Sequence, residues 1–111
     1  MASFYRIIRE GLAAETDFLS DKARGLPPRN DDPLTIHVWD GISVYRTLAQ
    51  AQRKARDYPF LGQFIAELDV DIDTPGIRVE KTYGRGHHTL WGDPATLLRL
   101  VVRMFAVSPS P

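Results

Sequence analysis

The chain has 111 residues, 43% hydrophobic and 25% charged, with zero net charge and no cysteine. That length supports one domain around a single core. The neutral balance weighs against a broad basic face for nucleic acid, and the lack of cysteine excludes disulfides, thiol catalysis and a cysteine-based zinc site.

No apolar run approaches the roughly 20 residues of a membrane span. The N-terminus shows no signal-peptide pattern, so a cytoplasmic protein without membrane contact is the expectation. Residues 4–8, F-Y-R-I-I, predict a first strand. Alternation puts Phe4, Arg6 and Ile8 on one face and Tyr5, Ile7 and Arg9 on the other. A charge between two apolar neighbours must be paired, must serve a ligand, or must keep its head in water. Thr16 is placed to cap a helix over 16–24, which Gly25 would stop. Residues 26–33, with three prolines, read as a surface loop, either a connector or a lid.

L-T-I-H-V at 34–38 alternates and predicts a strand. Asp40-Gly41 makes a turn into the central stretch, I-S-V-Y at 42–45. There Ile42 and Val44 share one face, and Ser43 and Tyr45 share the other. Thr47 and Gln50 have the capping-box spacing, and Leu48, Ala51, Ala55 and Tyr58 recur at helical period, predicting a helix over 47–58.

F-I-A-E-L-D-V at 64–70 is a further strand, with Glu67 on its polar face. Asp69, Asp71 and Asp73 lack the glycine and distant glutamate of a calcium loop and read as a solvated edge. Strands follow over 77–83, with Glu80 on the polar face, and over 87–91, beyond a Gly84-Arg85-Gly86 joint. His87 and His88 are neighbours in that strand, so they diverge and cannot share a metal; no metal site is expected. Asp93-Pro94 opens a helix over 94–106 with an apolar stripe from Leu97 to Phe105. The domain is expected to span 1–107, with a disordered tail over 108–111.

Familiar catalytic signatures are missing: there is no phosphate loop, no dinucleotide fingerprint, no H-E-x-x-H, and Ser43 is not in a G-x-S-x-G elbow. What remains is an order of residues: Arg6 in the first strand, Ser43 and Tyr45 in the second, Thr47 opening the next helix, and glutamates in later strands. From residue 4 to about 91 that order resembles the ADP-ribosyltransferase superfamily in its small bacterial forms. The matching stretches are G-I-S-V-Y-R-T-L-A-Q-A-Q-R-K-A and F-I-A-E-L-D-V, followed by a strand bearing a glutamate. The chain departs from the family in having Ser43 alone where serine-threonine-serine is usual, and in lacking paired glutamates two residues apart.

The resemblance implies an α+β domain, a bent or split mixed sheet of about five or six strands with about three helices. It implies NAD as substrate and transfer of ADP-ribose to an unknown acceptor, expected to be a protein, as in a bacterial toxin with an antitoxin or immunity partner. Arg6 would grip phosphates or ribose, Ser43 and Tyr45 would hold nicotinamide, and Thr47 and His87 would help bind NAD. Glu80, with Glu67 second, would stabilise the cation-like transition state. The alternatives are a non-catalytic protein-interaction module and an enzyme acting on RNA 2′-phosphate ends; zero net charge weighs against the latter.

Overall fold

Strand alternation sets the centre of the molecule. The structure, a computed structural model, describes residues 1–108. Its strands are β1 (Ala2–Ile8), β2 (Ile42–Tyr45), β3 (Phe64–Val70), β4 (Arg78–Lys81), β5 (His87–Trp91) and β6 (Val101–Ala106). Its helices are α1 (Pro33–Val38), α2 (Leu48–Asp57) and α3 (Pro94–Arg99). The strands form one sheet in the order β4-β5-β2-β1-β3-β6, antiparallel at every pairing. This is the expected single α+β domain, with six strands and three helices.

The sheet is nearly split at its middle. β1 pairs with β3 along its whole length, from Ala2↔Val70 to Ile8↔Phe64. With β2 it pairs only at Tyr5↔Tyr45. Beyond that point the two strands part, and Arg6 to Ile8 face Ile42 to Val44 without a ladder.

Each face of the sheet carries its own core. Phe4, Ile8, Ile42, Val44, Leu68 and Leu90 bury on one face, with Phe18 and Leu97 packed over them. Ile7, Tyr45 and Ile65 bury on the other, beneath Ala51 and Ala55 of α2. The small alanines let the helix lie close on β1, β2 and β3. The expected faces of residues 42–45 hold: Ile42 and Val44 join one core, Tyr45 joins the other, and Ser43 is exposed.

Three expectations are corrected. Residues 34–38 are not a strand but α1. Alternation over five residues also fits a short helix, and Asp32 at the N-cap with Pro33 in the first turn were the opposing signal. No residue of α1 is buried, so nothing demanded a strand there. The final helix stops at Arg99, and Leu100 leads into β6, which pairs with the outer edge of β3. Val101, Val102 and Phe105 are strand formers, and the edge of β3 offers them hydrogen bonds that a longer helix would forfeit.

The helix expected over 16–24 is a single 3-10 turn, Glu15–Phe18, capped at Ala14 rather than Thr16. Ser20 then takes the Ala23 N–H on its hydroxyl, a local bond that competes with helix. Gly25 does end the segment in the left-handed region, at φ 78°. Of the tail expected over 108–111, residues 109–111 lie outside the described residues. The Ser108 backbone N–H donates to Gln52 Oε1 at 2.7 Å. Among the described residues, no helix is long and apolar enough to cross a membrane.

α2 starts as its spacing predicts. The Gln50 N–H donates to Thr47 Oγ1 at 3.2 Å, and the Thr47 N–H donates to Gln50 Oε1 at 3.1 Å. Gly86 in the β4–β5 turn has φ 76°, and a Cβ there would overlap the Gln50 side chain. The cap thus also seats the turn that leads into β5. Thr47→Ala is expected to lower stability by about 1 kcal/mol, read from the urea midpoint. An unchanged midpoint would contradict the role of this cap.

Candidate functional site

Where β1 and β2 part, a cleft of about 810 Å³ opens. Its floor is made by Arg6 and Ile7 of β1, Ser43 and Tyr45 of β2, and His87 of β5. One wall comes from the 3-10 turn and the stretch after it, with Asp17, Asp21 and Arg24. Another comes from the proline-rich loop, with Pro28, Arg29 and Asn30. Trp39 holds that loop: its indole N–H donates to the Leu26 carbonyl at 2.9 Å, and Lys22 lies over its ring. Lys54 and Tyr58 of the α2 end close the far side.

The charge of the cleft is not that of the whole chain. Arg6, Arg9, Arg24, Arg29 and Lys54 line it, against only Asp17 and Asp21. A neutral protein thus concentrates positive charge in one concavity, where low-dielectric walls strengthen it toward an anion. Tyr45, Tyr58, Tyr83, Phe60 and Trp39 add aromatic faces. Such a lining suits a ligand that combines phosphates with aromatic rings.

Arg6 bridges the gap in the sheet. Its Nε donates to the Asp17 carbonyl at 3.1 Å, and its Nη1 donates to the Ser43 carbonyl at 2.9 Å. The Ser43 carbonyl lies where the β1–β2 ladder has lapsed, so the guanidinium supplies the missing donor. Burial lowers the Arg6 pKa to about 10, with repulsion from Arg24 adding to it and Tyr45, Asp17 and Asp21 opposing it. It stays cationic at neutral pH, and Nη2 has no partner among the described residues. Burial also pushes the Tyr45 phenol up, more than Arg6 pulls it down.

A chain of side chains crosses the sheet beside Arg6. Ser43 Oγ meets His87 Nε2 at 3.0 Å, and His87 Nδ1 meets Thr82 Oγ1 at 2.7 Å. Thr82 Oγ1 meets Thr89 Oγ1 at 3.0 Å. The register explains these contacts: Tyr45 lies opposite His87 and Ser43 opposite Thr89, so Ser43 and His87 are diagonal neighbours on one face. Tyr45 and Tyr83 hold the imidazole between them, each ring centroid 5.4 Å from it. Burial lowers the His87 pKa to about 4, helped by Lys54 and His88, so the ring is neutral at pH 7. Gly41, at the cleft edge, must be glycine, since a Cβ there would stand 2.5 Å from Thr89 Cγ2.

Arg6, Ser43, Tyr45 and His87 therefore converge on one cleft. Thr47 does not line it; its side chain caps α2. His88 points to the opposite face, packing edge-on against Phe4. Neither glutamate lines the cleft. Glu80 lies opposite Thr89, on the same sheet face as Ser43 but two strands away, about 10 Å at ordinary strand spacing. Its carboxylate accepts from His37 Nε2 of α1 at 2.8 Å and lies 3.6 Å from Arg78 Nε. Glu67 stands on β3, taking the Ser3 hydroxyl at 3.4 Å with Arg103 Nε 4.0 Å away.

Thr82 and Thr89 were missed from sequence, although both fall on the face of His87 by simple alternation. Arg24 and Lys54 carried no local signal, because only the fold brings them to the cleft. Among the described residues, no group of three or more histidine or acidic side chains is placed to hold a metal. No family model, curated protein or solved structure matches the chain.

Two outcomes follow from the geometry. Arg6→Lys leaves one of two backbone carbonyls, the part-buried one of Asp17 or the exposed one of Ser43, without its donor, so stability should fall by about 1 kcal/mol in urea; an unchanged midpoint would remove the bridging role. His87 is held neutral in the folded state, whereas the unfolded chain protonates near the ordinary value. The parent should therefore lose stability as pH falls from about 6.5 to about 4. His87→Gln should lose less over the same window, measured as the difference between the two urea midpoints.

Proposed function

We propose that the cleft binds NAD and that the chain transfers ADP-ribose from it to an acceptor, expected to be a protein. One observation carries the reading. Arg6, Ser43, Tyr45 and His87, drawn from three strands far apart in sequence, meet in one cationic, aromatic cleft. Its volume of about 810 Å³ lies within the range of small-molecule sites. Arg6, with Arg24 and Arg29 near it, supplies forked donors suited to a diphosphate. Tyr45 and Tyr83 offer ring faces, and Ser43 offers an exposed hydroxyl. A ligand there would lie against Arg6, Arg24, Ser43 and His87, whose side chains are already held by hydrogen bonds, so little ordering of these groups would oppose binding.

A second reading is favoured by the placement of the glutamates. Ribosyl transfer needs a carboxylate where positive charge develops, and Glu80 and Glu67 both lie outside the cleft, engaged elsewhere. On that reading the chain is a non-catalytic module that holds the nucleotide or a protein partner at the same cleft.

Calorimetric titration with NAD, run beside an assay of nicotinamide release, separates the readings. Transfer predicts binding and release. Because both glutamates lie outside the cleft, Glu80→Gln and Glu67→Gln are expected to leave NAD binding unchanged; release slowed on the order of a hundredfold in Glu80→Gln would instead assign that carboxylate to the transition state. Binding without release establishes the module. Absence of both removes NAD from the site.

A further inference from the structure

The chain of hydroxyls and imidazole beside Arg6 has a direction, and the direction decides what Ser43 can do. Thr89 is buried, with 2% of its surface exposed, and its hydroxyl meets only Thr82 Oγ1 among the described residues. A hydroxyl carries one proton. If Thr89 only accepted, that proton would be buried without a partner among the described residues, which costs the full desolvation of a polar group. Thr89 therefore donates to Thr82. Thr82 in turn spends its own proton on His87 Nδ1 at 2.7 Å. Nδ1 is then the acceptor nitrogen, so a neutral ring carries its proton on Nε2. Burial of His87 supports this, since a doubly protonated ring would have no acceptor nitrogen for Thr82. Nε2–H then donates to Ser43 Oγ at 3.0 Å. Ser43 is exposed and lines the cleft, so its hydroxyl proton is left facing the ligand space.

We infer that Thr89, Thr82 and His87 form an outward-running donor relay that makes Ser43 a hydrogen-bond donor to an acceptor oxygen of the cleft ligand, a phosphate or carboxamide oxygen, rather than a nucleophile. The opposite orientation would place a base on Nε2 and activate Ser43 for attack. The pattern Ser-His-Thr, with Ser43 on β2, His87 on β5 and Thr82 just past β4, invites that reading, and the buried end at Thr89 rejects it. Thr82 and Thr89 are positioning residues, acting through His87. The ligand half of this inference deepens the NAD reading and rests on it; the tautomer half does not.

The tautomer is read on the ligand-free full chain by two-dimensional proton–nitrogen spectroscopy of the histidine rings at neutral pH. The His87 signals are assigned by their loss in His87→Gln. The expected result is a protonated Nε2 and an unprotonated Nδ1. A protonated Nδ1 overturns the relay. Thr82→Val should blur the preference into a mixture and Thr82→Ser should restore it; a merely structural Thr82 would leave the signals where they were. An alkyl fluorophosphonate, which traps activated serines, should leave Ser43 unlabelled, and labelling there overturns the assignment.

The ligand half is tested by titrating parent and Ser43→Ala with NAD, ADP-ribose and inorganic pyrophosphate. Affinity for at least one should fall about tenfold in the variant, the scale of one lost hydrogen bond to a charged group. Equal affinity, or no binding of any of the three by the parent, overturns the ligand half. The spectroscopic result stands apart from NAD binding, so failure of the NAD reading and failure of the relay are distinguishable.

Discussion

The Arg6 guanidinium spanning the gap between β1 and β2 is the contact on which the rest depends. A sheet whose central pair shares one register position has backbone groups with no ladder partner on both sides of the gap. Water could satisfy them, but then the gap would be open solvent. Here Arg6 takes the Ser43 carbonyl on the β2 side of the gap and, with its Nε, the Asp17 carbonyl of the 3-10 turn. It thus ties the two halves of the sheet to the 3-10 turn that carries Phe18 into the core. The charge is tolerated because its Coulombic surroundings are mixed. Asp17 and Asp21 offset part of the burial, and Arg24 adds repulsion that an anionic ligand would relieve.

The same gap explains why the cleft is cationic although the chain is neutral. The strands part on the side where the loop before α1 and the end of α2 converge, and those segments bring Arg24, Arg29 and Lys54. Of the chain's fourteen acidic residues only Asp17 and Asp21 line the cleft; Glu67, Asp71, Asp73 and Glu80 are among those placed elsewhere. Separation of charge within one small domain focuses potential without raising net charge.

The two glutamates mark the limit of the resemblance. Both lie on strand faces, as their alternation required, yet both are engaged by neighbours that no local pattern announces. Glu80 is held by His37, and His37 is there only because residues 33–38 form a helix over the β4–β5 edge. His37 also packs against Trp91, whose indole N–H donates to Asp40. The edge of the sheet is therefore closed by a polar and aromatic lattice rather than by apolar burial.

Sequence alone determined the parts that depend on local period and caps. The strands over 4–8, 42–45, 64–70 and 87–91, the Thr47 cap of α2 and the Asp93-Pro94 opening of α3 all follow from neighbours within a few residues. So does the sharing of one face by Ser43 and Tyr45. The identity of α1 was legible in Asp32-Pro33, but five alternating residues spoke for a strand just as well. Tertiary structure decided what depends on distant partners. β6 forms because β3 needs an edge partner, whereas its apolar spacing suits a helix equally. The split between β1 and β2, the meeting of Arg6 with Ser43 across 37 positions, and the relay from Thr89 to Ser43 across 46 positions (89 − 43) rest on strand register. Register is a collective outcome of both cores, and no stretch of the chain encodes it by itself.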